Sequence, residues 1–416
     1  MKYDVIVIGG GAGGLMAAAA AAQSGKVLLI EKNHSLGKKL LLTGGGRCNL
    51  TTSYSTDTII ENIPCGGKFL HSALSKFDNE DIMDFFTSRG ISLKEEDHGR
   101  IFPCTDSAET ILSAFISELK KLKVNVILGD AVSEITTSSQ RISGVKTAWG
   151  KKFFADKVIL AAGGASFSAT GSNGDGYRLL KALGHTVTPL YPGEVPITSS
   201  ENFIKKATLQ GLSLQDVTLS VLNKRGKSVA KHRLDLIFTH FGISGPCSLR
   251  CSTFVQNLQK KENTSDVTVS LNSMPDYSAA ELAESLNRRI YENPGKTLKS
   301  LIKKWLPERY GVFLIKICDL DEEAPVKSTT EPQRKKLIDT VLDFRFKVNG
   351  TLPLDKGFVT CGGVSLKEIN PKTMESKLVP GLFVCGELLD ISGYTGGYNL
   401  TAAFSTGHCA GTLNKD

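Results

Sequence analysis

The chain has 416 residues, of which 41% are hydrophobic and 22% charged, a mixture that excludes an intrinsically disordered protein. Its length exceeds what one hydrophobic core usually serves, so more than one domain is expected. Lys and Arg outnumber Asp and Glu by 50 to 42, and the resulting +8 suits an anionic ligand, spread as it is along the chain.

The chain opens with YDVIVI over residues 3–8, a β-branched run suited to a buried parallel strand. Residues 9–14 (GGGAGG) follow, then an alanine-rich helix to about Ser24 and a second strand over 27–30 that ends on Glu31. This is G-x-G-x-x-G inside a βαβ unit, with an acid 22 positions after Gly9. Gly9 allows the tight turn, Gly11 lets backbone approach a pyrophosphate, and Gly14 lets the helix pack on the strand. The helix start at Ala12 and Gly13 presents unpaired N–H groups to phosphates. Glu31, followed by Lys32, accepts hydrogen bonds from ribose hydroxyls, which disfavours a 2′-phosphate and leaves FAD or NAD(H).

Residues 37–49 (GKKLLLTGGGRCN) place Thr43, Gly44, Gly45, Gly46, Cys48 and Asn49 beside the cations Lys38, Lys39 and Arg47. Three successive glycines suggest backbone lying close to a flat or phosphorylated ligand. Asp106 and Glu109 form a capping-box-like start for a helix reaching about Leu122. Residues 124–128 read as a strand ending in GDAV, where Ala131 and Val132 lie. Segments 132–137, 141–148 and 152–154 read as a meander, and 157–162 as a separate buried strand closed by Gly163 and Gly164.

From about residue 191 the character changes. Segments 217–222, 228–238 and 267–271 alternate like antiparallel strands, while 279–291, 297–305, 308–318 and 331–344 look helical. Residues 191–352 are therefore expected to be an inserted lobe, mainly β over 191–273 and mainly helical over 274–352. The dense basic stretch 296–304 carries apolar residues at helical spacing and reads as a solvated helix face, so nucleic acid is not the expected partner.

The opening fingerprint, residues 43–49, 161–176, 360–364 and 381–399 together resemble the bacterial FAD-binding family described as aminoacetone-oxidase-like, or as NAD(P)/FAD-dependent oxidoreductases. Residues 99–103 (GRIFP) and 238–246 (FTHFGISGP) are similar to that family's internal motifs. The resemblance runs along essentially the whole chain. It implies an α/β fold: a discontinuous glutathione-reductase-like, Rossmann-type FAD domain over 1–190 and 353–416, with an inserted β-barrel-like and helical lobe. It also brings Ala131, Val132, Ala162, Gly163, Gly164, Thr170, Gly171, Gly386, Gly397, Tyr398 and Asn399 to the cofactor. Glu387 stands where an acid holds the ribityl chain, with Asp390 as the alternative.

No C-x-x-C pair occurs among the nine cysteines, and their odd count argues against a disulfide framework, so reduced thiols in a cytoplasmic protein are expected. No second dinucleotide fingerprint occurs, so NAD(P)H would dock only transiently as electron donor. The seven histidines show no metal-ligand spacing, and no apolar run approaches the roughly 18 residues of a membrane span. Arg100, His240 and Tyr394 are the candidates for substrate contact: Arg100 for a carboxylate or phosphate, His240 or Tyr394 for a proton. Two reactions on a small organic substrate fit the resemblance, NAD(P)H-dependent reduction of an activated C=C bond and oxygen-dependent amine oxidation. A redox-responsive or RNA-associated flavoprotein without catalysis is the alternative.

Overall fold

The structure, a computed structural model, describes residues 2–412. The chain divides into two compact units, one made of the residues up to Gly193 with those from Leu354 onwards, the other of Glu194–Pro353.

The first unit is a Rossmann-type layer structure. Strand β1 (Lys2–Ile8) leads through the glycine turn into helix α1 (Ala12–Ala21) and then strand β2 (Val27–Glu31). Val5, Ile6 and Val7 are fully buried, as expected of a strand covered on both faces. β1 pairs in parallel with β2 (Val5 opposite Val27, Ile8 opposite Ile30) and, on its other side, with Lys152–Leu160. Asn125–Leu128 lies at the β2 edge, and Leu382–Val384 joins Lys152–Leu160 in parallel near its end.

Two local readings differ from the sequence expectation. Residues 152–160 form one nine-residue strand, not two. Its opening residues pair antiparallel with Arg141–Thr147 and its closing residues lie in the buried sheet, so the exposed Asp156 marks a change of surroundings within one strand. The helix Ala108–Lys121 is capped by Ser107, whose hydroxyl accepts from the Glu109 amide at 3.3 Å. Asp106 lies outside that helix and pairs with Lys94 and Arg47 instead.

The C-terminal helix Tyr398–Gly411 lies against α1 along a line of small residues. A Cβ on Gly407 would stand 2.3 Å from the Gly13 carbonyl oxygen, and one on Gly411 would stand 2.4 Å from that of Ala17. Both partners advance by one turn together, so the two helices run parallel and their N-termini lie at the same end.

The second unit has a seven-stranded antiparallel sheet. Its order is Phe344–Val348, Val267–Asn272, Ser213–Leu222, Ser228–Phe238, Gly242–Ser244, Ile197–Thr198 and Gly350–Thr351. The first and last of these are edge strands, yet Asn349 alone separates them in sequence, so the sheet must roll until its edges nearly meet. Helices Ala279–Glu292, Glu308–Ile317 and Glu331–Leu342 help fill its core around Phe203, Phe238, Tyr310 and Phe344. Helix Pro246–Glu262, in the half expected to be mainly β, packs Cys247, Cys251, Val255 and Leu258 inward. Its inner face also carries Ser248 and Ser252, which blunts the apolar periodicity.

Replacing Gly407 by Val should cost about 1–3 kcal/mol of stability, because the added carbons meet backbone that cannot give way. The denaturation midpoint of the apoprotein reports this, and an unchanged midpoint would contradict the close helix crossing.

Candidate FAD site

The glycines of the opening turn have different roles. A Cβ on Gly9 would lie 2.4 Å from the Ala161 carbonyl oxygen, and one on Gly14 only 1.9 Å from that of Gly9, so both are locked by neighbouring backbone. Gly14 thus brings α1 down onto the turn itself. Gly11 is the exception: its Cβ would meet nothing within 4 Å. α1 begins there with no side-chain cap and no acid in its first turn, leaving its amide end available to an anion. Gly13 faces Ala403 and Gly386, which brings the Gly386–Glu387 turn to the same place.

Glu31 is buried. One carboxylate oxygen accepts from the Gly10 amide at 2.7 Å and the other from the Asn33 backbone and side-chain amides at 2.8 and 2.7 Å. The Asn33 side chain also donates to the Thr170 carbonyl, so the Thr170–Gly171 turn is fastened beside Glu31. Lys32 pairs with Asp175 at 2.7 Å and donates to Asn173. Ala131 accepts from the Ala148 amide, and Val132 is buried at the start of its strand.

A second carboxylate, Glu387, gathers three other segments. Lys39 Nζ donates to both its oxygens at 2.9 and 2.7 Å, the Thr360 amide donates at 2.9 Å, and the Ser166 hydroxyl and Gly164 amide add 3.2 and 3.3 Å contacts. Thr360 Oγ1 in turn accepts from the amides of Ala165 and Ser166, against which Gly163 and Gly164 turn the chain. Burial alone would push the Glu387 carboxyl up; Lys39 and the two amides outweigh it and hold the group below the ordinary carboxylate range. Asp390 is engaged elsewhere, with one oxygen on the Cys65 thiol and the other accepting from Thr188 at 3.0 Å.

The loop before Asn49 turns through Gly44, Gly45 and Gly46, all with positive φ, which side-chain-bearing residues adopt at a cost. A Cβ on Gly45 meets no atom within 4 Å. With its amide oriented to satisfy both ends, Asn49 donates to the Thr51 carbonyl and accepts from the Gly397 amide, each at 3.1 Å. Gly397 itself presses on the Thr51 backbone, where a Cβ would lie 2.5 Å from the carbonyl oxygen. The C-terminal helix therefore begins beside this loop, at Tyr398, again without a side-chain cap or an acid in its first turn. Asn399 folds back to clasp Gly393 through both ends of its amide at 2.8 Å, which fixes the turn bearing Tyr394.

Several expected contributors stand apart. Arg47 is paired with Glu96 and, at 2.8 Å, with Asp106, and lies over the Phe102 ring at 4.2 Å. Arg100 is paired with Asp97 and lies over the same ring at 5.5 Å, so both guanidiniums belong to a half-exposed ionic cluster. Lys38 is exposed. Cys48 is buried with its thiol pushed up to about 12 by that burial, the state of an inert thiol. His240 is an exposed turn residue of the second unit, set edge-on to Phe241. Asn33, Ser166 and Thr360 were not anticipated as organisers; each follows or precedes a glycine pair or the Glu31 strand end, which is the only trace they leave in sequence.

The space left by Gly11, Gly45 and Gly386 and the two open helix starts suit a long dinucleotide with an anionic middle. Such a site on a Rossmann-type layer defines a FAD-dependent oxidoreductase. The chain matches the model described as HI0933-like protein Rossmann domain over residues 3–413, and it belongs to that family. It is 30% identical to a 3-dehydro-bile acid delta(4,6)-reductase of Clostridium scindens, covering 92% of this chain and 91% of that one. It is 32% identical to a ribosomal RNA dihydrouridine synthase of Escherichia coli, covering 91% and 89%. Among solved structures, a quinol-fumarate reductase with menaquinol superimposes with a TM-score of 0.50 at 15% identity, over 99% of this chain and 70% of that one, a likeness of fold alone. No helix among the described residues is long and apolar enough to cross a membrane.

Two outcomes test the site. Gly11→Val should change the stability of the apoprotein little, since its Cβ meets no tertiary neighbour within 4 Å, yet abolish FAD retention. Yellow Gly11→Val protein at full occupancy would refute the pyrophosphate reading. Glu387, with its lowered pKa, contributes stability above the unfolded carboxylate pKa of about 4.3 and loses it as pH falls through the lower folded value. Released flavin fluorescence should therefore stay flat from neutral pH to about pH 5 and rise at more acid pH. Lys39→Met should move that rise to higher pH, and superimposable curves would show that the pair does not hold the site.

Proposed function

We propose that this oxidoreductase reduces a C=C bond conjugated to a carbonyl, with NAD(P)H as donor. The observation that carries this is the shared chemistry of relatives matched along nine-tenths of both chains. A delta(4,6)-reductase and a dihydrouridine synthase act on unlike molecules, yet each name describes saturation of a carbon–carbon double bond next to a ring carbonyl. Of the two reactions left open by sequence, these names favour reduction over amine oxidation.

FAD, when bound, supplies the two-electron carrier between nicotinamide and substrate. The chain's own residues do the rest. The open amide ends of α1 and the C-terminal helix stabilise negative charge, the first at the pyrophosphate and the second where charge develops on reduction. Glu31 orients the ribose end, and the Glu387 group fastens the loops that enclose the ribityl chain. Tyr394, on a turn fixed by Asn399, donates the proton that accompanies hydride addition. The buried Cys48 takes no part, since a thiol held protonated is neither nucleophile nor redox partner.

Anaerobic mixing with NADH or NADPH tests the assignment. One of them should bleach the flavin, and a 3-oxo-4-ene steroid or a uridine-containing RNA should restore the colour faster than oxygen does. Tyr394→Phe should leave bleaching intact and slow recolouring by about 10²-fold or more. Bleaching by a primary amine, with neither nicotinamide active, would instead establish the amine oxidase.

A further inference from the structure

Two carboxylates mark the ends of the candidate cofactor site, Glu31 at one and Glu387 at the other, and one loop of the first unit reaches both. Its base is closed by the Gly174 amide, which donates to the Gly164 carbonyl at 3.2 Å. Near its start Ser166 is buried, and its hydroxyl accepts from Lys39 Nζ at 2.9 Å and donates to Glu387 at 3.2 Å. Near its end the Thr170 carbonyl accepts from the Asn33 side chain at 3.0 Å, and that same amide group donates to Glu31 at 2.7 Å. Residues 166–170 are therefore strung from one carboxylate group to the other, with Ser168 and Ala169 exposed between the anchors.

Phe167 lies within this span at φ 54° and ψ 54°, a left-handed conformation that a bulky side chain adopts only at a cost. Its carbonyl accepts from both the amide and the hydroxyl of Thr170, each at 2.8 Å, which closes the turn. Its ring meets that of Phe358, with centroids 5.5 Å apart and planes at 39°. Phe358 is half-exposed and stands two residues before Thr360, whose hydroxyl accepts from the amides of Ala165 and Ser166 at 2.8 and 3.0 Å. The ring contact and these hydrogen bonds tie the same two segments together. Neither ring belongs to the apolar core of the unit, so the pair is not there to fill it. A strained residue persists where its surroundings hold it, and here the holding partner is a second aromatic ring.

We propose that Phe167 and Phe358 form a clasp that keeps residues 166–170 closed along bound FAD, so that the parting of the two rings sets how fast FAD leaves. The inference rests on the FAD site described above and not on the reaction proposed for it. Both are positioning residues, acting on the ligand through the loop they hold. A dinucleotide reaching from Glu31 to Glu387 lies along the whole span and leaves when the span lifts.

Holoprotein carrying isotope-labelled FAD, chased with excess unlabelled FAD, reports the exit rate without turnover. Phe358→Ala should speed exit about tenfold, the worth of one aromatic pair with its burial. Phe167→Gly accepts the left-handed backbone without cost, so it keeps the fold and should speed exit similarly through loss of the ring alone. The double variant should be no faster than either single one, because each removes the same contact. Apoprotein melting should stay close to wild type in all three, and Phe154→Ala, at an exposed ring elsewhere on the unit, should release FAD as wild type does. Chymotrypsin should cut after residue 167 faster in Phe358→Ala holoprotein than in wild type. Exit rates within about twofold of wild type for both single variants, or effects that multiply in the double variant, would overturn the clasp. Wild-type protein that binds no FAD would instead remove the site on which the clasp depends.

Discussion

A carboxylate withdrawn from water must be met by donors, and Glu387 meets that demand with groups from three other stretches of chain that are far apart in sequence. Lys39 comes from the loop after β2, Gly164 and Ser166 from the turn after the central strand, and Thr360 from the strand that re-enters the first unit. Each of these stretches belongs to the candidate site, so one group of hydrogen bonds fixes its walls relative to one another. The glycines give the loops their shapes; the carboxylate decides where those shapes stand. Asp390 acts similarly a few residues further on, joining Cys65 to Thr188.

Local features of the fold were legible in sequence because their causes are local. The strand–glycine turn–helix–strand unit and its terminal acid need only short-range spacing, and the structure forms them with β1, α1 and β2. What escaped were interactions set by partners far along the chain. Arg47 looks like a ligand-binding cation beside glycines, but Glu96 and Asp106 reach it across a small three-stranded sheet, while Arg100 pairs locally with Asp97. Asp106 resembles a helix cap by position, yet Ser107 caps and Asp106 is drawn off by Lys94 and Arg47. Helix Pro246–Glu262 hides because serines share its inner face with cysteines.

The parallel crossing of α1 and the C-terminal helix sets Gly13, near the start of α1, against Gly407, well inside the other helix, so the two positive helix ends face the same way but are staggered by roughly 12 Å. Glycine at the crossing lets the backbones approach closely. The small-residue seam thus fixes how far apart, along one direction, the two open amide ends stand.

The first unit is assembled from both ends of the chain, since α1 lies against Tyr398–Gly411 while Glu194–Pro353 forms a unit of its own. On the ribosome this has a consequence for timing. The opening strands emerge first but lack the helix that covers α1 and the strand Leu382–Val384 that extends their sheet, whereas the inserted unit is continuous and complete much earlier. At about 5–20 residues per second, roughly 10 to 40 s of synthesis separate the two halves of the cofactor site. A ligand that needs both helix ends can thereby be held only once Tyr398–Gly411 has been made, and throughout that interval α1 lacks the helix that covers it.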